Sequence, residues 1–122
     1  MEPHPGRARH PEATFLSGNF LEHTFEPESF DYAICNGIMT QKLTATLREM
    51  DAYTKAIIRK MFPLCRKGIA FNMMTSHVNF MAPNLFYQTP TEMLTWPMSE
   101  LSPRVKLDHS YPLYEFMIYV FR

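Results

Sequence analysis

Glycine is scarce in this sequence, and the few glycines lie far apart. Among 122 residues there are four, Gly6, Gly18, Gly37 and Gly68, so no two of them fall within one loop. A loop that brings its backbone close to a nucleoside cofactor needs clustered glycines, because only glycine leaves room for that approach. The sequence therefore contains no glycine-rich cofactor loop.

Neither sign of charge is in excess, and long apolar runs are missing. Twelve basic residues balance twelve acidic ones, so the chain has no strong field to attract nucleic acid or an anionic membrane. The longest apolar runs, such as residues 116–121, fall well short of the ~20 residues of a spanning helix. The basic start lacks the apolar segment of a secretory signal. The sequence thus predicts no nucleic-acid partner, no membrane partner and no export.

Cysteine is limited to Cys35 and Cys65, each within an apolar stretch. Two buried free thiols are the favoured interpretation, with a disulfide or a metal pair as the alternative. No His, Cys or acidic residues have metal-ligand spacing, and no Ser lies in a G-x-S-x-G context. We therefore predict no metal, no hydrolase chemistry and a reducing, cytoplasmic setting.

Apolar and aromatic residues are plentiful. The apolar fraction is 46%, with ten Phe, six Tyr and ten Met, which is typical of a globular chain. Residues 1–12 hold three prolines and little to bury, and we predict a poorly ordered lead-in there. Residues 13–122 are predicted to form one domain.

The apolar pattern predicts the order strand, strand, helix, strand, helix, strand, strand. Strands are predicted at residues 13–16, at 32–36 ("YAICN") and at 68–74 ("GIAFNMM"), the second and third being parallel. A helix begins after Thr46, which forms a capping box with Glu49. It is expected to stop at Lys67-Gly68, with Pro63 kinking or tightening its last turn. A short helix after Thr89 is expected to be broken at Pro97. An antiparallel hairpin, "RVKLDHS" and "YPLYEFMIYVFR", closes the chain.

This order resembles the second half of the class I S-adenosylmethionine-dependent methyltransferases. "PEATFLSGNFLE" is similar to the third strand of that family, "SFDYAICNGI" to the fourth, "CRKGIAFNMMTS" to the turn into the fifth and "LYEFMIYVFR" to the seventh. The segments "RKGIAFNMMTS", "NLFYQTPTEML" and "LYEFMIYVF" resemble a bacterial subgroup whose substrates are mostly unassigned. The resemblance covers roughly residues 8–122. It implies a three-layer, Rossmann-like α/β fragment with a mixed sheet and an antiparallel C-terminal hairpin.

The first two strands of that family and its glycine-rich first motif have no counterpart in the sequence. In the family these strands lie between the third and fourth, so the strand at residues 32–36 is expected to have an open edge. An apolar open edge favours self-association, or pairing with a partner that supplies the missing half. The resemblance therefore implies a methyltransferase-like domain that is truncated and inactive alone. The full-length family uses S-adenosylmethionine, which this chain is not expected to bind. The alternative is a non-catalytic interaction module that self-associates through this edge.

The candidate cofactor-binding residues follow two of the predicted strands. Asn19 matches a position where the family often has an acidic residue near the adenine amino group, and Gly18 and Phe20 belong to the same turn. The alternative for Asn19 is a plain turn residue. Asn36 and Gly37 follow the central strand, where open α/β sheets bind ligands, although Gly37 can simply permit a turn.

The candidate catalytic and substrate residues follow the next strand and the terminal hairpin, which meet at one edge of the sheet. His77 or His109 can serve as a general base for a methyl acceptor, since imidazole titrates near neutrality. The alternative for each is a solvated loop histidine. Candidates for contact with the substrate are Thr75, Ser76, Tyr111 and Tyr114.

Overall fold

The fold is that of a computed structural model, which describes residues 13–14, 16–37, 39–40, 42 and 44–122. These described residues form five strands and two α-helices. Their bounds are β1 Phe30–Cys35, α1 Leu47–Met61, β2 Cys65–Thr75, β3 Tyr87–Gln88, α2 Pro90–Glu100, β4 Val105–Asp108 and β5 Glu115–Phe121. Short 3-10 helices span Phe20–Glu22 and Phe62–Leu64. The predicted lead-in, residues 1–12, lies outside the described residues.

The strands form one mixed sheet with the order β1-β2-β5-β4. β1 is parallel to β2, whereas β5 is antiparallel to both β2 and β4. The two residues of β3 pair in parallel with the end of β2. The predicted α/β class, the parallel strand–helix–strand unit and the terminal hairpin are therefore confirmed. β3 was not predicted from the sequence.

The first helix begins where the sequence predicts, after Thr46, but it ends earlier than predicted. The predicted stop at Lys67-Gly68 is wrong, because the helix ends at Met61 and both residues lie within β2. The Thr46 hydroxyl accepts a hydrogen bond from the Glu49 amide, and the Glu49 carboxylate accepts one from the Thr46 amide. These two bonds satisfy amides that have no partner within a helix. After Met61 the backbone tightens into the 3-10 turn that contains Pro63, and β2 follows directly.

Both helices pack on the same face of the sheet. Alternate side chains of β2 and β5 point to this face and join one core with residues of α1 and α2, namely Ile57, Ile58, Ile69, Phe71, Met73, Met93, Phe116, Ile118 and Val120. Lys55 and Arg59 of α1 contact the ring of Trp96 in α2. The described residues thus form two layers. They include no helix on the opposite face, so the third layer stays a prediction.

Two further local predictions were wrong. Ala13, Thr14 and Leu16 lie outside any strand, and Phe15 is not among the described residues. A strand needs a neighbour to pair its backbone groups, and here the chain instead turns through the 3-10 helix beside α1. The second helix is not broken, because it continues through the buried Pro97 to Glu100. Pro97 removes only one backbone donor, and its ring is buried.

Both cysteines lie among the described residues. Cys65 is buried, Cys35 is half-buried, and both are free. No helix within residues 44–122, or among the described residues before them, is long and apolar enough to cross a membrane.

Candidate functional site

The carboxyl edge of the sheet brings most of the predicted site residues together. Gly37 follows β1, Thr75 ends β2, and the connection between β4 and β5 returns to the same edge. The Thr75 amide donates a hydrogen bond to the Tyr114 carbonyl over 3.1 Å, and the Ser76 amide donates to the Gln88 carbonyl over 3.0 Å. Residues at the ends of three strands therefore meet at this edge. The predicted strand order places them there.

The two candidate catalytic histidines are neighbours. The ring centroids of His77 and His109 lie 5.8 Å apart, and the His109 ring packs edge-on against buried Phe116 at 6.0 Å. The His77 amide donates to the Thr75 hydroxyl over 3.2 Å. Both rings are exposed, so either can exchange a proton with a bound molecule. No group of three His, Cys, Asp or Glu in the described part of the chain is placed to hold a metal ion.

Asn72 is a buried polar residue that links three strands at this edge. Its side-chain oxygen accepts a hydrogen bond from the Gly37 amide over 2.8 Å. Its side-chain nitrogen donates to the Glu115 carboxylate over 2.9 Å. Glu115 thereby fixes the orientation of the Asn72 amide. Asn72 was not among the predicted site residues; the signal for it is one amide within the apolar run "GIAFNMM".

The loop after β1 is anchored at several points besides Asn72. The Thr40 hydroxyl donates to the Gly37 carbonyl over 2.8 Å, and the Phe86 amide donates to the Thr40 carbonyl over 2.8 Å. Gly37 has φ of +85°, and a Cβ there would meet no atom within 4 Å. Backbone conformation, rather than a lack of space, therefore favours glycine at this position. Asn36 beside it is exposed.

The phenol of Tyr111 lies near acidic groups on the β4–β5 side of this edge. Burial and the negative charges of Glu115 and Asp108 raise the pKa of Tyr111 to about 12. Hydrogen bonds from the Ser110 hydroxyl and amide lower the pKa of Asp108. At neutral pH Tyr111 is thus a hydrogen-bond donor and not a base.

The other candidate cofactor residues lie elsewhere. The Asn19 side-chain oxygen accepts a hydrogen bond from the Leu21 amide over 3.0 Å and caps the short 3-10 helix. The centre of the Phe20 ring lies 4.9 Å from the Lys60 ammonium near the end of α1. The end of α1 leads into the amino end of β2, which is the opposite edge of the sheet. Gly18 has φ of +113° in the same turn. The structure therefore does not bring Gly18, Asn19 and Phe20 together with Asn36 and Gly37.

An apolar cavity of about 260 Å³ has in its lining Phe20 from the first group and Cys35, which directly precedes Asn36. It lies between β1, α1 and the segment at residues 20–25, and its lining includes Phe20, Phe25, Ala33, Cys35, Ile57 and Met61. Burial raises the pKa of the Cys35 thiol to about 11. Cys35 therefore stays protonated at neutral pH and is a poor nucleophile.

β1 forms an edge of the sheet with exposed apolar side chains. The exposed fractions of Phe30, Tyr32 and Ile34 are 44%, 56% and 70%. Within the described residues β2 is the one strand that pairs with β1. The open edge expected from the resemblance is therefore present in this part of the chain.

The chain is similar to a protein of Mycobacterium tuberculosis named "Putative methyltransferase Rv1506c". The two are 32% identical over 92 residues, which are 74% of this chain and 55% of that protein. The chain thus spans about half the length of the curated relative it matches. No family model matches the chain, and no solved structure matches it either.

Proposed function

We propose that this chain is a methyltransferase-like domain that forms one half of an S-adenosylmethionine-dependent catalytic sheet. The observation that carries the proposal is the strand order β1-β2-β5-β4 with β5 antiparallel. In that order the segments similar to the fourth and fifth strands of the family are parallel neighbours. The segment similar to the seventh lies antiparallel beside the fifth. The similarity to the mycobacterial protein supports the same assignment.

The residues present do not make a complete cofactor site. S-adenosylmethionine supplies an activated methyl group when it is bound, and transfer depends on positioning that group in line with the acceptor. The sequence has no glycine-rich loop, and the Asn19 carboxamide is occupied by the Leu21 amide. We therefore assign no transfer step to this chain alone. In a completed sheet, Asn36 and Gly37 would face the cofactor, and His77 and His109 would face the methyl acceptor.

Calorimetric titration with S-adenosylmethionine and with its demethylated product tests this proposal. The chain alone is expected to give no heat of binding. A second polypeptide carrying the first two strands and the glycine-rich loop of a class I methyltransferase is then co-expressed with it, and the complex is expected to bind both molecules. The same methyltransferase, split at the corresponding point, is the positive control.

Two outcomes contradict the proposal. One is a complex that forms but binds neither molecule, when the split control binds both. The other is cofactor binding by the chain alone, which would require contacts that its described residues do not provide. Asn36→Ala is expected to weaken binding in the complex, whereas Asn79→Ala, another exposed asparagine, is the matched control.

A second candidate function is a non-catalytic interaction module. The observation that favours it is the open apolar edge of β1, since such edges in soluble proteins are usually covered or charged. This function predicts association without cofactor binding, even when the glycine-rich half is supplied. The same titration therefore separates the two candidates.

A further inference from the structure

The outer edge of β1 carries few of the features that normally prevent strands from pairing. Alternate backbone N–H and C=O groups of an edge strand point away from the sheet and need partners. Charged side chains, proline or bulges usually block such an edge. β1 has no proline, and Asp31 is its one charged residue. The one register shift in its pairing with β2 lies at its start, between Phe30 and Tyr32, and the pairing from Tyr32 to Cys35 is regular. The edge is therefore competent to accept another extended strand.

The charge of Asp31 is already balanced within the chain. Its carboxylate accepts a hydrogen bond from the Arg66 guanidinium over 2.8 Å. The Lys67 ammonium lies 5.9 Å from the centre of the Tyr32 ring. The whole chain carries no formal net charge, so two copies do not repel each other strongly. The electrostatics of this edge thus favour a second copy over a strongly charged partner.

We propose that two copies of this chain pair through β1, antiparallel, about a twofold axis at Ala33. In this register Tyr32 lies opposite Ile34 of the second copy, which is a favourable aromatic and β-branched cross-strand pair. Asp31 lies opposite Cys35 of the second copy, so the two Asp31 carboxylates do not face each other. The pairing joins the two sheets into one continuous sheet. Because each copy uses the same surface, the assembly stops at the dimer.

The proposal is independent of methyl transfer. It follows from the edge and its side chains, and it holds for a catalytic or a non-catalytic domain. It also makes the homodimer a competitor of any polypeptide that completes the sheet, since both need the same backbone groups of β1. If calorimetry detects no binding of S-adenosylmethionine, that result therefore does not contradict the proposed homodimer.

The solution mass of the wild-type chain and of two lysine variants, measured by light scattering, tests whether β1 is the dimer interface. Ile34→Lys puts a charge into the pairing strand, whereas Leu113→Lys makes the same kind of change at a similarly exposed residue away from it; the exposed fractions are 70% and 61%. The wild type and Leu113→Lys are expected to be dimers, and Ile34→Lys a monomer. Circular dichroism verifies that all three are folded. A monomeric wild type, or an equally stable dimer of Ile34→Lys, overturns the proposal.

Introduced cysteines test the register. In a Cys35→Ser background, where buried Cys65 is the one other thiol, Tyr32→Cys, Ala33→Cys and Ile34→Cys are oxidised in turn. Directly opposite residues have Cα atoms about 4.5–5.5 Å apart, within disulfide range, whereas diagonal pairs at about 7–8 Å are too far. Only Ala33→Cys is expected to form a covalent dimer readily. Faster cross-linking at position 32 or 34, or none at all, contradicts the proposed axis.

Discussion

Asn72 is the residue on which the geometry of the carboxyl edge most depends. It is 4% exposed and uses both ends of its amide, one toward the Gly37 amide and one toward the Glu115 carboxylate. A buried amide that lost either partner would leave a desolvated polar group unsatisfied. The local sequence pattern indicates that Asn72 is an unusual residue in an apolar strand. It does not identify the partners of Asn72, because they lie 35 and 43 positions away in sequence.

Asn72→Asp is expected to destabilise the fold in a pH-dependent way. The new carboxylate still accepts from the Gly37 amide but faces Glu115, and two close carboxylates repel while both are ionised. The free energy of unfolding should fall by on the order of 1–3 kcal/mol at pH 7. Protonation of one carboxyl group restores a hydrogen bond, so the loss should shrink as the pH falls toward 4. Urea denaturation at both values measures it.

The double variant Asn72→Asp/Glu115→Gln is the control for this result. Its glutamine can donate to the new carboxylate, so most of the stability at pH 7 should return. A loss that is the same at both pH values, or that persists in the double variant, would show that repulsion is not its cause.

The elements of this domain differ in how far they depend on local sequence. α1 was predicted together with its capping box, because the signals lie within four residues of one another. The segment at residues 17–25 was not, because its position depends on distant contacts. The Lys60 ammonium donates to the Phe20 and His23 carbonyls, and the Phe25 ring packs against the Phe30 ring. The strand was predicted just before this segment, at residues 13–16, and no strand among the described residues pairs with residues 13, 14 or 16.

Thr46→Ala is expected to lower the free energy of unfolding by about 1 kcal/mol, which is the usual loss for an N-cap. The loss should diminish in acid. Hydrogen bonds from Thr46 lower the pKa of Glu49, so the stabilisation by the ionised carboxylate is present above the ordinary glutamate pKa and disappears as the pH falls through the lowered one. Thermal denaturation at pH 7 and pH 3 measures both. Thr44→Ala, outside the helix, should change neither; an equal loss in Thr44→Ala would rule out the cap as the cause.

At the scale of the whole molecule, the mixed sheet and its open edge could be predicted, because the buried strands are short apolar runs bounded by turn residues. The resemblance to half of a methyltransferase added the order of the strands. The positions of the predicted site residues could be predicted from the sequence only in part. Topology alone brings His77 and His109 to one edge, whereas the separation of Gly18–Phe20 from Asn36 and Gly37 depends on how the chain packs against α1.

We propose that β1 is the strand to which the rest of a methyltransferase sheet attaches. The most direct measurement is the solution mass, by light scattering, of this chain before and after co-expression with the strands and glycine-rich loop of a class I methyltransferase. We predict a homodimer alone and a one-to-one heterodimer with the added half, because both partners need the same edge. A homodimer that persists beside the unbound half, while the split control assembles, would contradict the claim.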